Sequence, residues 1–311
     1  MRKIKMNTNN TITFKEGFEE YILNCKARNL RAGTIKHYND SIKQIFKYID
    51  PDMPIGEMDK NTVSNFIVEL RDNEAISSDV SLYTYSRDLK TLMYFFMEQG
   101  YLPHFKIQLA KADKKPTETY TDAELQKLLK KPNLKQCSFT EYKAWVMVNF
   151  LLSTGVRQHS PINIKIKDLD FDNNVVAINV TKNRKPLLIP LNRNIVKILQ
   201  EYLRYREGQP EDYLFCNVYG QQLVKSTVYH EMWQYNKDRG VEKTGMHRFR
   251  HTFAKKWVMM GGNVVTLQKI LGHSSLEITQ NYLNVLTCDI AKDVDEFNIL
   301  AEFKKDSIKM K

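Results

Sequence analysis

A chain of 311 residues, 42% of them hydrophobic, is long for one ordinary core and suits two globular domains. The formal net charge of +11 is shared: 18 basic face 15 acidic residues up to Lys115, and 29 face 21 beyond it, a surplus on both parts that fits a polyanion held by both. Four scattered cysteines with no CxxC pair, a charged start at Met1–Lys5 with no apolar run behind it, and no stretch near the ~20 apolar residues of a membrane span argue against a disulfide scaffold, a cysteine zinc fold, a secreted precursor and a membrane protein, and a cytoplasmic location is expected.

Residues 1–110 carry the periodicity of four or five helices and no strand pattern. Thr13-Phe14-Lys15-Glu16 has the form of a capping box, with an apolar stripe of Phe14, Phe18, Tyr21, Ile22 and Cys25 behind it. A second helix is predicted from Ile35, Tyr38, Ile42, Ile45, Phe46 and Ile49. A third is predicted from Val63, Phe66, Ile67 and Leu70. The fourth carries Leu82, Tyr85, Leu89, Leu92 and Phe96 and stops at Gly100. Residues 111–117, polar, basic and broken by Pro116, read as a linker whose Lys114 and Lys115 could equally lie on a phosphate backbone.

Residues 118–311 form the second predicted domain. It opens on another capping box, Thr121-Asp122-Ala123-Glu124, and an apolar helix covers Trp145 to Leu152. Val175, Val176, Ile178 and Val180 read as a strand, Thr181–Lys185 as a turn, and Leu187, Leu188, Ile189 and Leu191 as the returning strand. Helical patterns then resume. Near the end, at about 289–303, Ile290, Val294, Phe297 and Leu300 make an apolar stripe on a tail helix whose other face is acidic. The expected fold is therefore mainly α: a helical bundle, then a mostly helical α+β domain with one small antiparallel sheet.

Five short runs carry the chemistry: Thr154-Gly155-Val156-Arg157, Thr181-Lys182-Asn183-Arg184-Lys185, His247-Arg248-Phe249-Arg250, Leu271-Gly272-His273 and Asn281-Tyr282. A phosphodiester is anionic and resists attack. Its cleavage needs charge neutralised at the non-bridging oxygens, a placed nucleophile and an acid for the leaving oxygen. Arginine suits the first task, since its planar fork binds two oxygens and stays charged. Taken singly, each of these side chains is more often a surface or packing residue; their weight lies in the set. His247 and His251, with His273, also have the spacing of a zinc site, but Arg250 would share that helix face and repel a dication.

In this order the five runs resemble the tyrosine recombinase, or phage integrase, family. The resemblance is good over about Thr117–Val285 and extends to the helical first part, which is similar to the SAM-like core-binding domain of integrases and of the XerC/XerD type. It implies the DNA breaking-rejoining fold for the second domain. It implies that Tyr282 attacks the scissile phosphate, Arg157 and Arg250 hold its oxygens, Lys182 protonates the leaving 5′-oxygen, His247 assists proton transfer and His273 donates to the phosphate, with no metal, cofactor or ATP. One position departs from the family pattern: Ser160 stands where an acidic residue is usual three places after the first arginine.

The resemblance further implies a double-stranded DNA partner with inverted-repeat core sites, contacted by Arg31, Thr34, Lys36, Arg87, Lys90, Lys114 and Lys115. A tetramer on DNA and accessory DNA-bending proteins complete the expected partners, and a mobile-element integrase is the favoured role. The alternatives are a type IB topoisomerase-like activity and a DNA-binding protein of the same fold with weakened catalysis. With only about ten residues before the first helix, the additional N-terminal domain of larger integrases is not expected.

Overall fold

Thr13 starts the first helix as its spacing predicts. Its side chain accepts from the Glu16 N–H, and the Glu16 carboxylate accepts from the Thr13 N–H at 2.8 Å, so two otherwise orphaned donors are satisfied. The computed structural model describes residues 12–72, 78–109, 118–179, 186–273, 275 and 279. The chain divides into two compact units, Met1–Pro116 and Thr117–Lys311.

The first unit holds α1 (Phe14–Ala27), α2 (Ala32–Ile45), α3 (Lys60–Asp72) and α4 (Asp79–Glu98). Phe14 sits at the centre of its core, edge-on to Phe46 at 5.3 Å and to Phe96 at 6.0 Å. The second predicted helix extended to Ile49, whereas α2 ends at Ile45. Phe46 and Ile49 follow in turns and still pack into the core, so apolar spacing outlasts the helix that it suggested. The fourth helix ends beside Gly100, whose φ of +79° is the left-handed conformation that the predicted stop requires.

The second unit runs α5 (Asp122–Leu129), α6 (Phe139–Thr154), two short 3₁₀ turns (Pro161–Asn163 and Ile166–Asp168), β1 (Leu169–Asp170), β2 (Val175–Ile178), β3 (Leu187–Pro190), α7 (Arg193–Arg206), α8 (Lys225–Asp238), α9 (Met246–Met259) and α10 (Val264–Leu271). The sheet is antiparallel in the order β1-β2-β3, with Val176 opposite Ile189. The hairpin of β2 and β3 follows the predicted alternation. β1 is an addition, since two residues are too few to leave a periodic signal. Val180 and the predicted turn Thr181–Lys185 lie outside the described residues, as do the linker 111–117, Tyr282 and the tail stripe.

Helix α6 is apolar on nearly every side and packs against α5, α7, α8 and α9, which makes it the axis of this unit. One of its buried residues is Lys143, 1% exposed, whose ammonium donates to Cys216 O at 3.0 Å and pairs with Glu231 at 3.0 Å. A lysine in an apolar helix gives no sequence signal for such a partner 88 positions away.

Candidate active site

Two helix ends and one helix face build the site. Helix α6 stops at Gly155 and α10 at Gly272, both left-handed caps with φ of +60° and +61°. Helix ends leave carbonyls without an intrahelical partner and carry partial negative charge, so cations are favoured there. Arginines occupy both ends. Arg250 Nη1 donates to Gly155 O at 2.8 Å, and its Nη2 donates to Leu271 O at 2.9 Å. Arg157 Nη2 donates to the next carbonyl, Gly272 O, at 3.1 Å. The last carbonyl of α10 and that of its cap, Leu271 and Gly272, therefore hold the two guanidinium groups.

Glycine is required at both caps. A Cβ at Gly155 would come within 2.3 Å of the Phe253 ring, and one at Gly272 would stand 3.0 Å from Leu187. The glycines of the TGVR and LGH runs thus serve the arginines: they let each helix end turn and expose its carbonyls at close range.

Arg250 is buried, at 2% exposure, among the largely apolar buried residues Met246, Phe249 and Ala254 of α9. Its Nη2 also lies 2.6 Å from His273 Nε2. The other ring nitrogen of His273 lies 2.8 Å from Thr279 Oγ1, and Thr279 is fully buried. A cation against Nε2 favours the lone pair at that nitrogen and a proton on Nδ1 donated to the threonine. Burial, then the charges of Arg250 and Arg157, push the His273 imidazole down to about 4.

His247 stands one turn before Arg250 in the first turn of α9, exposed at the rim. Desolvation on its inner side, then Arg250 and Arg157, lower its pKa from the usual histidine value. His251 lies behind it, ring edge to ring face at 4.7 Å, and is pushed down to about 4 by burial and then by His247. Three imidazoles held toward neutrality among arginines suit proton transfer beside an anion. Among the described residues, no cluster of histidine, cysteine and acidic side chains has the arrangement of a metal site.

Ser160, where an acidic residue was expected from the family pattern, is 8% exposed. It closes the turn after Arg157, with its N–H donating to Arg157 O at 2.8 Å and its carbonyl accepting from Asn163 at 3.1 Å. Its part in positioning Arg157 is through the backbone.

Of the predicted catalytic set, Arg157, His247, Arg250 and His273 come together; Lys182 and Tyr282 lie outside the described residues. Thr279 and His251 were missed as partners. Nothing in the spacing marks Thr279, and His251 was weighed only as a metal ligand. The predicted DNA contacts of the first unit divide over two helices. Arg31 caps α2, and Thr34 and Lys36 follow in its first turns. Arg87 and Lys90 lie on α4, but Lys90 is drawn onto its own unit, donating to Ile107 O at 2.7 Å and lying over the Tyr94 ring. Lys114 and Lys115 fall outside the described residues.

Comparison with known proteins agrees over both units. Residues 118–287 match the family model of the phage integrase family, and residues 13–115 match that of the phage integrase SAM-like domain. A tyrosine recombinase of Pseudothermotoga lettingae is 27% identical over 284 residues, covering 87% of this chain and 93% of that one. Among solved structures, the Tn1549 transposon integrase in complex with a circular intermediate DNA superposes with a TM-score of 0.72 at 22% identity, over 92% of this chain and 99% of that one. A lambda integrase from a tetramer bound to a Holliday junction gives 0.70 at 17% identity, over 89% and 78% of the respective chains.

Proposed function

We infer the mechanism of this chain from a premise now in place: it belongs to the phage integrase family and is a site-specific DNA recombinase of the tyrosine type. The observation that carries the mechanism is the pair of arginines on adjacent carbonyls at the end of α10, with His273 against one of them. A phosphate entering there meets two guanidinium groups already oriented, so charge that develops on its oxygens is stabilised without reorganisation. Arg157 and Arg250 bind the non-bridging oxygens; the phosphate's charge offsets that of the arginines, so His273 gains a proton at Nε2 and donates it to the same phosphate. Tyr282 attacks phosphorus and forms a 3′-phosphotyrosyl bond; the 5′-oxygen leaves and takes a proton from Lys182. His247 accepts the tyrosine proton. Rejoining is the reverse attack by a 5′-hydroxyl, so the phosphotyrosyl bond conserves the energy of the broken one. Neither metal nor ATP takes part, and cleavage is expected to persist in excess EDTA.

The assembly is a tetramer on two duplexes with inverted-repeat core sites, and the protein serves a mobile element. The Tn1549 integrase and the lambda tetramer on its junction support these readings as similar folds. The tail helix at about 289–303 docks in trans on a neighbouring protomer. Its acceptor is an apolar groove of about 600 Å³ in the second unit, lined among others by Leu125, Leu129, Leu152, Phe253, Trp257 and Ile270. The chain also binds duplex DNA through α2 and α4 of its first unit, with Arg31, Thr34, Lys36 and Arg87 on that face and the linker lysines Lys114 and Lys115 on the phosphate backbone.

A leaving-group substitution tests the chemistry. On a duplex selected by this protein from random sequence, Lys182→Ala blocks departure of the 5′-oxygen, and a 5′-phosphorothiolate, whose sulfur needs no acid, restores cleavage. Arg250→Ala is not restored by it. Equal rescue of both variants would remove Lys182 from the role of acid.

A further inference from the structure

The first unit contains an ionic arrangement that the strand-exchange chemistry does not use. Asp88 on α4 is buried, with 3% of its side chain exposed. Its Oδ2 lies 2.8 Å from His37 Nε2 on α2, and its Oδ1 accepts from Arg87 Nη2 at 3.1 Å. The two partners are on the surface, with 42% and 51% of their side chains exposed. One buried carboxylate therefore grips two half-exposed nitrogenous side chains from two packed helices.

Burying a carboxylate is costly even when it is paired, and an apolar residue at the same place often stabilises a fold as well or better. What the pair provides is direction. Asp88 uses one edge of the Arg87 guanidinium and leaves its other N–H groups for an outside acceptor. The other carboxylate oxygen stands 2.8 Å from His37 Nε2, a close approach without hydrogen-bond geometry, which sets the ring beside the same carboxylate. Beside His37 opens a cleft of about 270 Å³ between α2 and the start of α4, lined by Asp40, Ser41, Gln44, Ser81 and Thr84 together with Val80 and Tyr85. Asp40 in this cleft pairs with Lys43 at 3.8 Å.

We propose that Asp88 is a positioning residue that presents His37 and Arg87 as one fixed reading element for base edges of duplex DNA. An arginine held by a carboxylate is pre-organised for bidentate binding to the O6 and N7 acceptors of a guanine. His37, tied to the same carboxylate, contacts the neighbouring base pair. The proposal rests on the reading above that α2 and α4 meet DNA, and goes beyond it by separating sequence choice from phosphate affinity.

The test is selection from a pool of random-sequence duplexes with full-length protein, followed by comparison of each base position. Wild type is expected to recover a preferred sequence. Arg87→Ala should erase the preference at one base pair, by about ten-fold or more. Asp88→Asn, which keeps the shape and removes the charge, should erase the same preference, and the double variant should lose no more than Arg87→Ala alone. A merely structural aspartate would weaken binding evenly across positions, so an even loss, or an unchanged preference in Asp88→Asn, overturns the proposal alone. A wild-type protein that recovers no preferred sequence overturns the DNA-reading face and the proposal with it. Should Asp88→Asn fail to fold, the surface variants His37→Ala and Arg87→Ala decide: the clamp requires their losses at the same or adjacent base pairs, and losses at distant positions contradict it.

Discussion

Arg250 makes two kinds of contribution that substitutions can separate. In the mechanism proposed above it neutralises an incoming phosphate; in the structure it satisfies the carbonyls of Gly155 and Leu271 inside the unit. Arg250→Ala is therefore expected to lower cleavage by roughly 10²-fold or more, as for other lost donors to a developing oxyanion. It should also destabilise the fold, since each buried carbonyl left without a donor costs about 1–3 kcal/mol. Arg157 holds one carbonyl and is only partly buried, so Arg157→Ala should show a similar loss of rate with a smaller fall in the thermal midpoint. Rate measurements with denaturation curves on the same preparations check both; equal destabilisation by the two variants would contradict the difference in burial. The arginines and histidines were legible because they sit in short ordered runs. Their common support was not: nothing in a one-dimensional spacing says that Leu271 and Gly272 lend their carbonyls to residues 21 and 115 positions away.

At the scale of elements, the glycines at the ends of α6 and α10 decide where the cations stand. Gly155→Ala forces a Cβ into Phe253 and strains a left-handed backbone, which should cost ~1–3 kcal/mol by overpacking. Because Gly155 O also anchors Arg250, the variant should lose cleavage even at temperatures where it remains folded; full activity in a folded Gly155→Ala would show that the cap does not position Arg250. The helices themselves were legible from capping boxes at Thr13 and Thr121, where two side-chain bonds repeat a known local geometry. The weaker readings failed for a physical reason. Phe46 and Ile49 bury in turns, and β1 is held by its pairing with β2 rather than by any pattern of its own. The trans docking proposed for the tail gives its removal a defined outcome. Truncation after Thr287 should leave binding to a single site intact and abolish pairing of two sites on native gels. Synapsis and recombination by the truncated protein would reduce the tail to local packing.

For the whole molecule, the neutral histidines predict a pH dependence. His251 and His273 are pushed down to about 4 in the fold, against the usual 6.5 once unfolded. The unfolded chain then binds more protons between these values, so stability is fully present above about 6.5 and is lost as pH falls toward 4. Thermal midpoints should change little between pH 8 and 7 and fall between pH 6.5 and 5. The carboxylates with lowered values, such as Glu124, titrate below that window and do not account for the loss. His251→Gln should flatten the slope. A midpoint that is constant or rises from pH 6.5 to 5 would contradict the neutral-histidine cluster. A phosphate between the arginines offsets the charges that hold His273 down, so the DNA complex should lose less stability over the same range.

The central claim is that this cluster presents one phosphodiester to Tyr282. The direct measurement uses a selected duplex nicked just 3′ of the scissile phosphate, so that the short fragment released with a free 5′-hydroxyl diffuses away and the covalent product is trapped. After denaturing electrophoresis, the wild-type protein should carry DNA, and peptide mapping should place the nucleotide on Tyr282. Tyr282→Phe should bind the duplex with near-normal affinity, since phosphate contacts dominate binding, and carry none. An adduct on Tyr282→Phe, or a wild-type adduct on any other residue, would contradict the account.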